Sequence, residues 1–335
     1  MRTTILFGGS NKERLVSVAS AQALHQALPE ADLWFWDVAD NVHVVRSEQL
    51  LEHVRPFQDE FRPGTRGIPL AQALDQAARE DRVLVLGLHG GSAENGELQA
   101  MCEMRGIPFT GSSSASSHLA FDKVAAKRFA AIAGVPAPSG IALDEIDAAF
   151  AEYGRLIAKP ARDGSSYGLI FVNAKQDIVA VRNAAATEEY LIEPFVAGVE
   201  ATCGVLERSD GAIFSLPPIE IVPAEGAFDY TAKYLLKSTQ EICPGRFSPD
   251  ISAAIMDLAL RAHRALSCAG YSRTDFIVSA KGPIYLETNT LPGLTKASLY
   301  PKALKAQGIE FVDFLQEQIE LARRRTSPSV IPGRA

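Results

Sequence analysis

The chain of 335 residues has few of the features that mark disulfide-stabilised or zinc-binding proteins. Its four cysteines are far apart and form no Cys-x-x-Cys pair, and its six histidines never pair at the spacing of metal ligands. We therefore expect neither disulfides nor a structural zinc ion.

Long hydrophobic runs and basic stretches are also missing. No window approaches 18 apolar residues, and the apolar stretch 5–7 is too short for the core of a signal peptide. Lys and Arg number 33 against 40 Asp and Glu, which gives a net charge of −7 without an extended basic run. Proteins that bind nucleic acids or membrane surfaces usually carry an excess of positive charge. The sequence predicts a cytoplasmic protein that binds small molecules, with no nucleic acid and no membrane as partner.

What the chain does contain is an ordinary globular composition, with 47% hydrophobic and 22% charged residues, at a length typical of two or three domains. The first part predicts strands at 3–8, 33–38 and 83–88 that alternate with helices at 12–27 and 68–79. Such alternation indicates a parallel α/β sheet, whose ligands bind at the carboxyl ends of the strands. The turns Gly8-Gly9 and His89-Gly90-Gly91 stand at two such ends.

Two further regions follow. Residues 110–117 are interpreted as a hinge and helix entry before a helix at 121–133. Short apolar runs at 156–159, 169–172 and 190–192 predict a smaller mixed sheet. The last region predicts strands at 201–206 and 213–216, an irregular stretch at 223–250, a helix at 251–267 and a hairpin at 274–278 and 284–286. The helix is predicted to carry one apolar stripe, formed by Ile251, Ile255, Leu258, Ala262 and Leu266. We expect an α/β fold with an N-terminal parallel domain at 1–111, a central subdomain at 112–192 and a C-terminal subdomain at 193–335.

The hairpin carries the most informative polar residues. Asp275 lies in one strand, while Glu287 and Asn289 share a face of the next because side chains alternate along a strand. Three oxygen ligands of this kind suit Mg²⁺ bound to a nucleotide. Polar residues on a solvated hairpin would give the same pattern.

A Gly- and Ser-rich turn at 159–168 follows a predicted strand end at Lys159. Its backbone N–H groups suit phosphate binding, although a plain hairpin loop looks similar. The GxxxxGK[ST] pattern occurs nowhere in the chain. Lys123 and Lys159 stand beside apolar residues, which is unusual for solvated lysines.

The apolar segment 191–196 is interrupted by Glu193 and Pro194. Because proline donates no hydrogen bond to a neighbouring strand, the segment is predicted to be an edge strand or a crossing between domains. The backbone groups that such a segment leaves unpaired would suit a base such as adenine. A bent strand explains the interruption equally well.

Together these stretches resemble the D-alanine:D-alanine ligases of the ATP-grasp superfamily. The resemblance runs in order through almost the whole chain: GGSNKER at 8–14, HGGSAENG at 89–96, TGSS and FDKVAAK at 110–127, KPARDGSSYG at 159–168, LIEPFVAGVE at 191–200, FDYTAKY at 228–234, GYSRTDF at 270–276 and ETNTLPGLTKASLYP at 287–301.

The resemblance implies an ATP-grasp fold in which ATP lies between the central and C-terminal subdomains. The implied phosphate-binding residues are Lys123, Lys159, Ser165, Ser166 and Lys233. Glu193 and the backbone of Pro194 and Val196 would bind adenine, and Glu200 would bind the ribose. Asp275, Glu287 and Asn289 would ligate two Mg²⁺ or Mn²⁺ ions.

The implied reaction phosphorylates the carboxylate of one D-alanine and then joins it to the amine of a second, as a step in peptidoglycan precursor synthesis. Lys and Mg²⁺ would neutralise the transferring phosphoryl group. The implied oxyanion stabilisers are Arg273 and the Gly293 N–H. The first substrate would bind Glu13 and His89, the second Ser298 and the Leu299 backbone, and a network of Glu13, Ser165 and Tyr234 would close a lid formed by 223–250. The family is usually a homodimer.

Departures from the family pattern concentrate in the first domain. Asn11 and Leu15 replace a serine and a glutamate of the pattern GGxSxExEVS, and HGxxGEDG has become HGGSAENG. An ATP-grasp ligase with a different first amino acid is therefore an alternative. A non-catalytic nucleotide-binding relative is a second alternative, which the complete set of Arg273, Asp275, Glu287 and Asn289 argues against.

Overall fold

The computed structural model describes residues 2–164, 168–222 and 239–326 of the chain. Within these ranges the strands form three sheets that follow one another along the sequence. No helix in the described ranges is both long and apolar enough to cross a membrane.

The first sheet has the order β4-β3-β2-β1-β5. Its strands are β1 (Arg2–Gly8), β2 (Asp32–Trp36), β3 (Asn41–Val45), β4 (Ile68–Pro69) and β5 (Arg82–Leu86). Strands β2 and β5 both pair in parallel with β1, as predicted. Strands β3 and β4 extend the sheet in antiparallel orientation at one edge, an addition that the sequence pattern did not predict.

Helices cover both faces of this sheet. They are α1 (Arg14–Ala27), α2 (Ser47–Leu51), α3 (Leu70–Arg79), α4 (Gly91–Glu94) and α5 (Glu97–Glu103). Phe7 of β1 packs in one cluster with Leu24 of α1, and the neighbouring Leu6 packs in another with Leu74 of α3. Burial on both faces explains why β1 is a continuous apolar run rather than an alternating one.

The predicted helix entry at 110–117 leads into α6 (Ser114–Phe121), which is followed by α7 (Lys123–Ile132). Asp122 begins α7 as its N-cap, since its carboxylate accepts hydrogen bonds from the backbone N–H groups of Val124 and Ala125. Ala130 of α7 is buried in one cluster with residues of the third sheet. Helix α7 therefore packs with the third sheet rather than with the second.

The second sheet has the order β7-β6-β8 and is wholly antiparallel rather than mixed. It consists of β6 (Leu156–Pro160), β7 (Ile170–Val172) and β8 (Tyr190–Pro194), flanked by α8 (Ile146–Tyr153) and α9 (Ile178–Ala185). Strand β8 forms one edge of this sheet, as Pro194 predicted.

The third sheet has the antiparallel order β12-β11-β9-β13-β14, with β10 paired to β9. Its strands are β9 (Val199–Glu207), β10 (Ile213–Ser215), β11 (Ile219–Val222), β12 (Gln240–Ile242), β13 (Tyr271–Ser279) and β14 (Gly282–Asn289). The associated helices are α10 (Pro249–Ala265), α11 (Leu299–Ala306) and α12 (Phe311–Thr326). Of the predicted irregular stretch 223–250, residues 223–238 lie outside the described residues. The described remainder contains β12.

The apolar stripe predicted on α10 is confirmed. Ile255, Leu258 and Ala262 are buried in one cluster with Phe276 and Tyr285 of the hairpin β13–β14. The opposite face of that hairpin is therefore free to carry polar groups.

The C-terminal helix α12 returns to the first sheet. Phe314 and Ile319 belong to the same buried cluster as Phe7 and Val85. The first and third sheets thus share a hydrophobic core. The division of the chain at residues 111 and 192 stays a prediction.

The carboxyl end of β1 depends on a glycine. Gly8 has a φ of +101°, and a Cβ built on it would lie 2.2 Å from the carbonyl oxygen of Trp36. Its N–H donates to Ser17 Oγ at 2.7 Å, and that hydroxyl donates to the carbonyl of Gly87 at 2.6 Å. These contacts fix the two glycine-containing turns relative to each other.

We expect Gly8→Ala to lower the free energy of unfolding by about 3 kcal/mol, because it adds an overpacking clash to an unfavourable φ. Gly106→Ala is the matched control, since Gly106 has a φ of +64° with no atom within 4 Å of the added Cβ. It should cost only about 1 kcal/mol. Urea unfolding at constant m-value measures both, and equal losses would contradict the predicted clash.

Candidate active site

A cavity of about 420 Å³ lies between the second and third sheets. Its volume is within the range of small-molecule sites. Apolar side chains, including Ile157, Phe171 and Leu286, form much of its wall. The predicted site residues that line it are Lys123, Lys159, Glu193, Pro194, Val196, Glu200, Asp275 and Glu287.

Glu193 is the most deeply buried charged group of this cavity, with 1% of its surface exposed. Edge strand β8 places it opposite Ile157 of β6, two residues before Lys159. Lys159 Nζ lies 3.2 Å from Glu193 Oε2. A lysine of the same sheet therefore balances the negative charge of the Glu193 carboxylate.

Lys127 of α7 supplies a second ammonium group to Glu193, with Nζ 2.6 Å from Oε1. Burial and the neighbouring Lys159 lower the pKa of Lys127 to about 8. Lys123 was predicted as a site residue from the sequence, and Lys127 was not. The signal was available, because residues four apart share one face of a helix.

The hairpin β13–β14 brings the predicted polar residues to one face. Asp275 pairs across the strands with Glu287, and Arg273 pairs with Asn289. Lys123 Nζ lies 3.4 Å from Glu287 Oε2. The convergence predicted from strand alternation is therefore present.

Asp275 accepts hydrogen bonds from three neighbours. Arg273 donates to both carboxylate oxygens at 2.9 Å, and Asn289 Nδ2 donates to Oδ2 at 3.2 Å. Thr202 of β9, which the sequence analysis did not identify, donates from Oγ1 to Oδ1 at 2.5 Å. These contacts hold the carboxylate in one orientation.

This donor set is suited to Mg²⁺. In the described part of the chain, no group of three or more His, Cys, Asp or Glu side chains is arranged to hold a metal ion by itself. Asp275 and Glu287 supply two facing carboxylates and Asn289 an amide oxygen, which leaves coordination positions for other oxygens. Magnesium is commonly bound in this way, by one or two carboxylates together with substrate phosphates and water.

The two glycine-containing turns of the first sheet are joined by Asn11. Its side-chain amide donates to the carbonyls of His89 and Gly90, at 2.7 and 3.0 Å, and its Oδ1 accepts from the Glu13 N–H at 2.7 Å. A Cβ built on Gly164 would lie 3.5 Å from Glu13 Oε2. Glu13 therefore lies next to the start of the turn that contains Gly164.

His89 is 7% exposed, and its Nε2 forms a 2.8 Å hydrogen bond with Ser20 Oγ. Burial, aided by the charge of Arg273, lowers the pKa of His89 to about 4. The imidazole is therefore neutral at pH 7.

Glu94 lies in a smaller space lined also by Lys123, Glu287 and Asn289. Burial and the Glu13 carboxylate raise its pKa to about 8, against a hydrogen bond from the Gly90 N–H. Glu94 belongs to the motif at 89–96, but no role was predicted for its side chain.

The residues predicted for the second substrate lie before and at the start of α11. A Cβ built on Gly293 would lie 2.8 Å from Ser298 Oγ, so these two residues are adjacent. Ser298 Oγ accepts from the Thr295 N–H at 3.1 Å, and Leu299 is the first residue of α11. Four other predicted site residues, Ser165, Ser166, Lys233 and Tyr234, lie outside the described residues.

The depressed pKa of His89 predicts acid sensitivity. The unfolded chain binds a proton near pH 6.5, whereas folded His89 binds one near pH 4, so its contribution is complete above pH 6.5 and is lost as the pH falls to 4. We expect His89→Gln to reduce the stability lost over this interval by about 1 to 3 kcal/mol.

Denaturant unfolding at several pH values measures this difference. His118→Gln, at an exposed position of α6, is the control and should follow the wild type. Part of the loss of stability at acid pH should remain in both variants, because burial also lowers the pKa of His263 to about 4. An unchanged pH slope in His89→Gln would contradict the prediction.

Comparisons with known proteins agree on one family. The family described as D-ala D-ala ligase N-terminus matches residues 2–112, and the family described as D-ala D-ala ligase C-terminus matches residues 149–320. The D-alanine--D-alanine ligase of Desulforudis audaxviator is 35% identical over 333 residues, covering 97% of this chain and 99% of that protein. The enzyme of the same name from Nitrosomonas europaea is 36% identical over 328 residues, covering 96% and 97%.

Solved structures agree with this assignment. The VanG D-Ala:D-Ser ligase of Enterococcus faecalis aligns with a TM-score of 0.76 at 28% identity, covering 96% of this chain and 99% of that one. The D-alanine--D-alanine ligase of Bacillus anthracis aligns with a TM-score of 0.72 at 27% identity, covering 97% and 98%. The chain belongs to the D-alanine–D-alanine ligase family and has its ATP-grasp fold.

Proposed function

We propose that the protein is an ATP-dependent ligase that joins two D-alanine molecules into D-alanyl-D-alanine for peptidoglycan precursor synthesis. The observation that carries this proposal is the hairpin β13–β14, which brings Arg273, Asp275, Glu287 and Asn289 together, with Asp275 and Glu287 lining the 420 Å³ cavity. A metal-nucleotide site and an oxyanion stabiliser at one place suit phosphoryl and acyl transfer.

The first step transfers the γ-phosphoryl group. A carboxylate oxygen of the first D-alanine bonds to the γ-phosphorus as the bond from that phosphorus to the β,γ-bridging oxygen breaks, which releases ADP. We assign the phosphates to Lys123 and Lys159, with Lys233, Ser165 and Ser166. The adenine is assigned to Glu193 and the backbone of Pro194 and Val196, and the ribose to Glu200.

Asp275, Glu287 and Asn289 would hold two Mg²⁺ or Mn²⁺ ions, which would supply positive charge beside the phosphates. Arg273 donates hydrogen bonds to both oxygens of Asp275. The Asp275 carboxylate also lines the cavity, where such ions would lie.

The second step forms the amide bond. The amine of the second D-alanine attacks the acyl phosphate carbonyl, and the tetrahedral oxyanion collapses as the carbon–oxygen bond to phosphate breaks. We assign the oxyanion to Arg273 and the Gly293 N–H. Ser298 and the Leu299 N–H would bind the second carboxylate, since Leu299 begins α11 and a helix N-terminus attracts anions.

The first substrate is assigned to Glu13 and His89. The adjacency of Glu13 to Gly164 supports a network of Glu13, Ser165 and Tyr234 that closes the site. A closed lid would protect the acyl phosphate from water. We further propose a cytoplasmic homodimer, as the family resemblance implies.

A different first amino acid is the alternative to test, because the departures at Asn11, in the turn after β1, and Leu15, in the first turn of α1, lie on either side of Glu13 in the sequence. We expect ATP-dependent phosphate release with D-alanine alone to exceed release with any L-amino acid by at least roughly 100-fold, the discrimination available when a site pairs the polar groups of its substrate. The panel pairs D-alanine with D-serine and D-lactate as second substrates, and mass spectrometry identifies each product. Greater turnover with another first amino acid would favour the alternative, and ATP binding without turnover would favour a non-catalytic relative.

Glu287→Gln tests the metal site. It preserves side-chain size and removes one negative charge. The loss of the ion pair with Lys123 is offset by relief of the repulsion between the facing Glu287 and Asp275 carboxylates, so the melting temperature without ligand should stay within about 2 °C of the wild type. Ligase activity should fall at least roughly 100-fold, and the stabilisation by Mg-ATP should largely disappear, because that stabilisation reports binding to the native state.

Glu310→Gln, at an exposed position before α12, is the charge-matched control and should behave as wild type. Glu287→Gln with activity within a few-fold of wild type and an unchanged Mg-ATP thermal shift would remove the metal role and support a solvated hairpin.

A further inference from the structure

Lys127 is a buried lysine that contacts the nucleotide cavity only through another residue. Lys159 and Glu193 line that cavity, whereas Lys127 is not among its described lining residues. Lys127 is 6% exposed, and its nearest carboxylate oxygen is Glu193 Oε1 at 2.6 Å. It therefore lies behind Glu193 as seen from the cavity.

The position of Lys127 is fixed by three contacts. Besides the ion pair with Glu193, its Nζ donates to the carbonyl oxygen of Tyr285 at 3.3 Å and lies 5.9 Å from the centre of the Tyr285 ring. Lys123, one turn earlier on α7, reaches Glu287 at the other end of the cavity. One helix thus presents two ammonium groups to carboxylates in two different sheets.

The charges around Glu193 explain why a second lysine is needed. Glu193 and Lys159 alone would sum to zero, and the carboxylate 3.2 Å from Lys159 Nζ would cancel most of its attraction for an anion. With Lys127 the group has a net charge of +1. This excess positive charge acts on the cavity through Lys159, because Lys159 lines the cavity and Lys127 does not.

We infer that Lys127 is a positioning residue that neutralises Glu193 and so leaves the positive charge of Lys159 available to the phosphates of the nucleotide. This inference rests on the proposed ATP binding. Lys127 would contribute more to the affinity for the phosphates than to the affinity for the nucleoside, because Glu193, to which the adenine is assigned, keeps its ion pair with Lys159 when Lys127 is lost.

The test compares a charged and an uncharged probe without amino-acid substrate. Lys127→Met keeps the length of the side chain and removes the ammonium group. We expect the Kd for Mg-ATP to rise about 10-fold or more, the range for losing a charge-assisted interaction, while the Kd for adenosine changes less than about 3-fold. Calorimetric titration measures both constants, and the melting temperature shows that the variant is folded.

The double variant Lys127→Met/Glu193→Gln separates charge balance from packing. It removes the positive and the negative charge together and restores a net charge of +1 around Lys159. Mg-ATP should then bind more tightly than to Lys127→Met alone, because removal of the Glu193 charge restores the excess positive charge beside Lys159. A role in packing alone predicts that the second substitution does not restore Mg-ATP binding. Lys281→Met, in the exposed hairpin turn, is the control for the loss of one lysine and should bind as wild type.

Two results would overturn the inference: an equal loss of affinity for Mg-ATP and adenosine in Lys127→Met, or a double variant that binds Mg-ATP no better than the single one. Failure of the proposed function is a different result, since the wild type itself would then bind no Mg-ATP. If Lys127→Met is unfolded, comparison of the double variant with Glu193→Gln gives the same test. In that pair, Mg-ATP affinity should fall with the second substitution as the net charge drops from +2 to +1, while adenosine affinity stays within about 3-fold; an equal fall for both would overturn the inference.

Discussion

The antiparallel register of β13 and β14 is the constraint on which the site depends. It places Asp275 opposite Glu287 and Arg273 opposite Asn289, and a shift by one residue would turn a whole set of side chains to the other face. The register is fixed from behind, because Phe276 and Tyr285 pack against α10 with their rings at 80° and 6.3 Å apart. The apolar face of the hairpin therefore positions the polar face, and chemistry at one surface depends on packing at the other.

Helix α7 connects this hairpin to the opposite wall of the cavity. It begins at Lys123 because Asp122 caps it, and this start determines where Lys123 and Lys127 project. Lys123 reaches Glu287 of the third sheet, and Lys127 reaches Glu193 of the second. Taking charges out of water is costly unless each is compensated, so burial of these groups requires that the helix and both sheets be assembled together. The same ion pairs that line the cavity thus also specify how its walls are arranged.

The sequence predicted the features that depend on local pattern. The buried run of β1, the stripe of α10, the edge position of Pro194 and the shared face of Glu287 and Asn289 all follow from periodicity or from proline chemistry. Strands β3 and β4 were missed because β4 has only two residues and the pattern around it indicated a helix. Lys127 was missed although its spacing of four residues from Lys123 places both on one face of α7. Glu94 and Thr202 were missed for another reason. Each is defined by partners distant in sequence, which no local pattern reveals.

The hairpin also contains an irregularity that strict alternation does not predict. The register shifts between Asp275 and Phe276, so that Asp275 pairs with Glu287 while Phe276 pairs with Tyr285. Leu286 is therefore the extra residue of a β-bulge, and Leu286 and Glu287 both line the cavity although they are consecutive. The bulge lets one strand supply an apolar wall and a carboxylate at neighbouring positions. Because Tyr285 and Thr288 remain buried on either side of this pair, the bulge changes the cavity face without loosening the core.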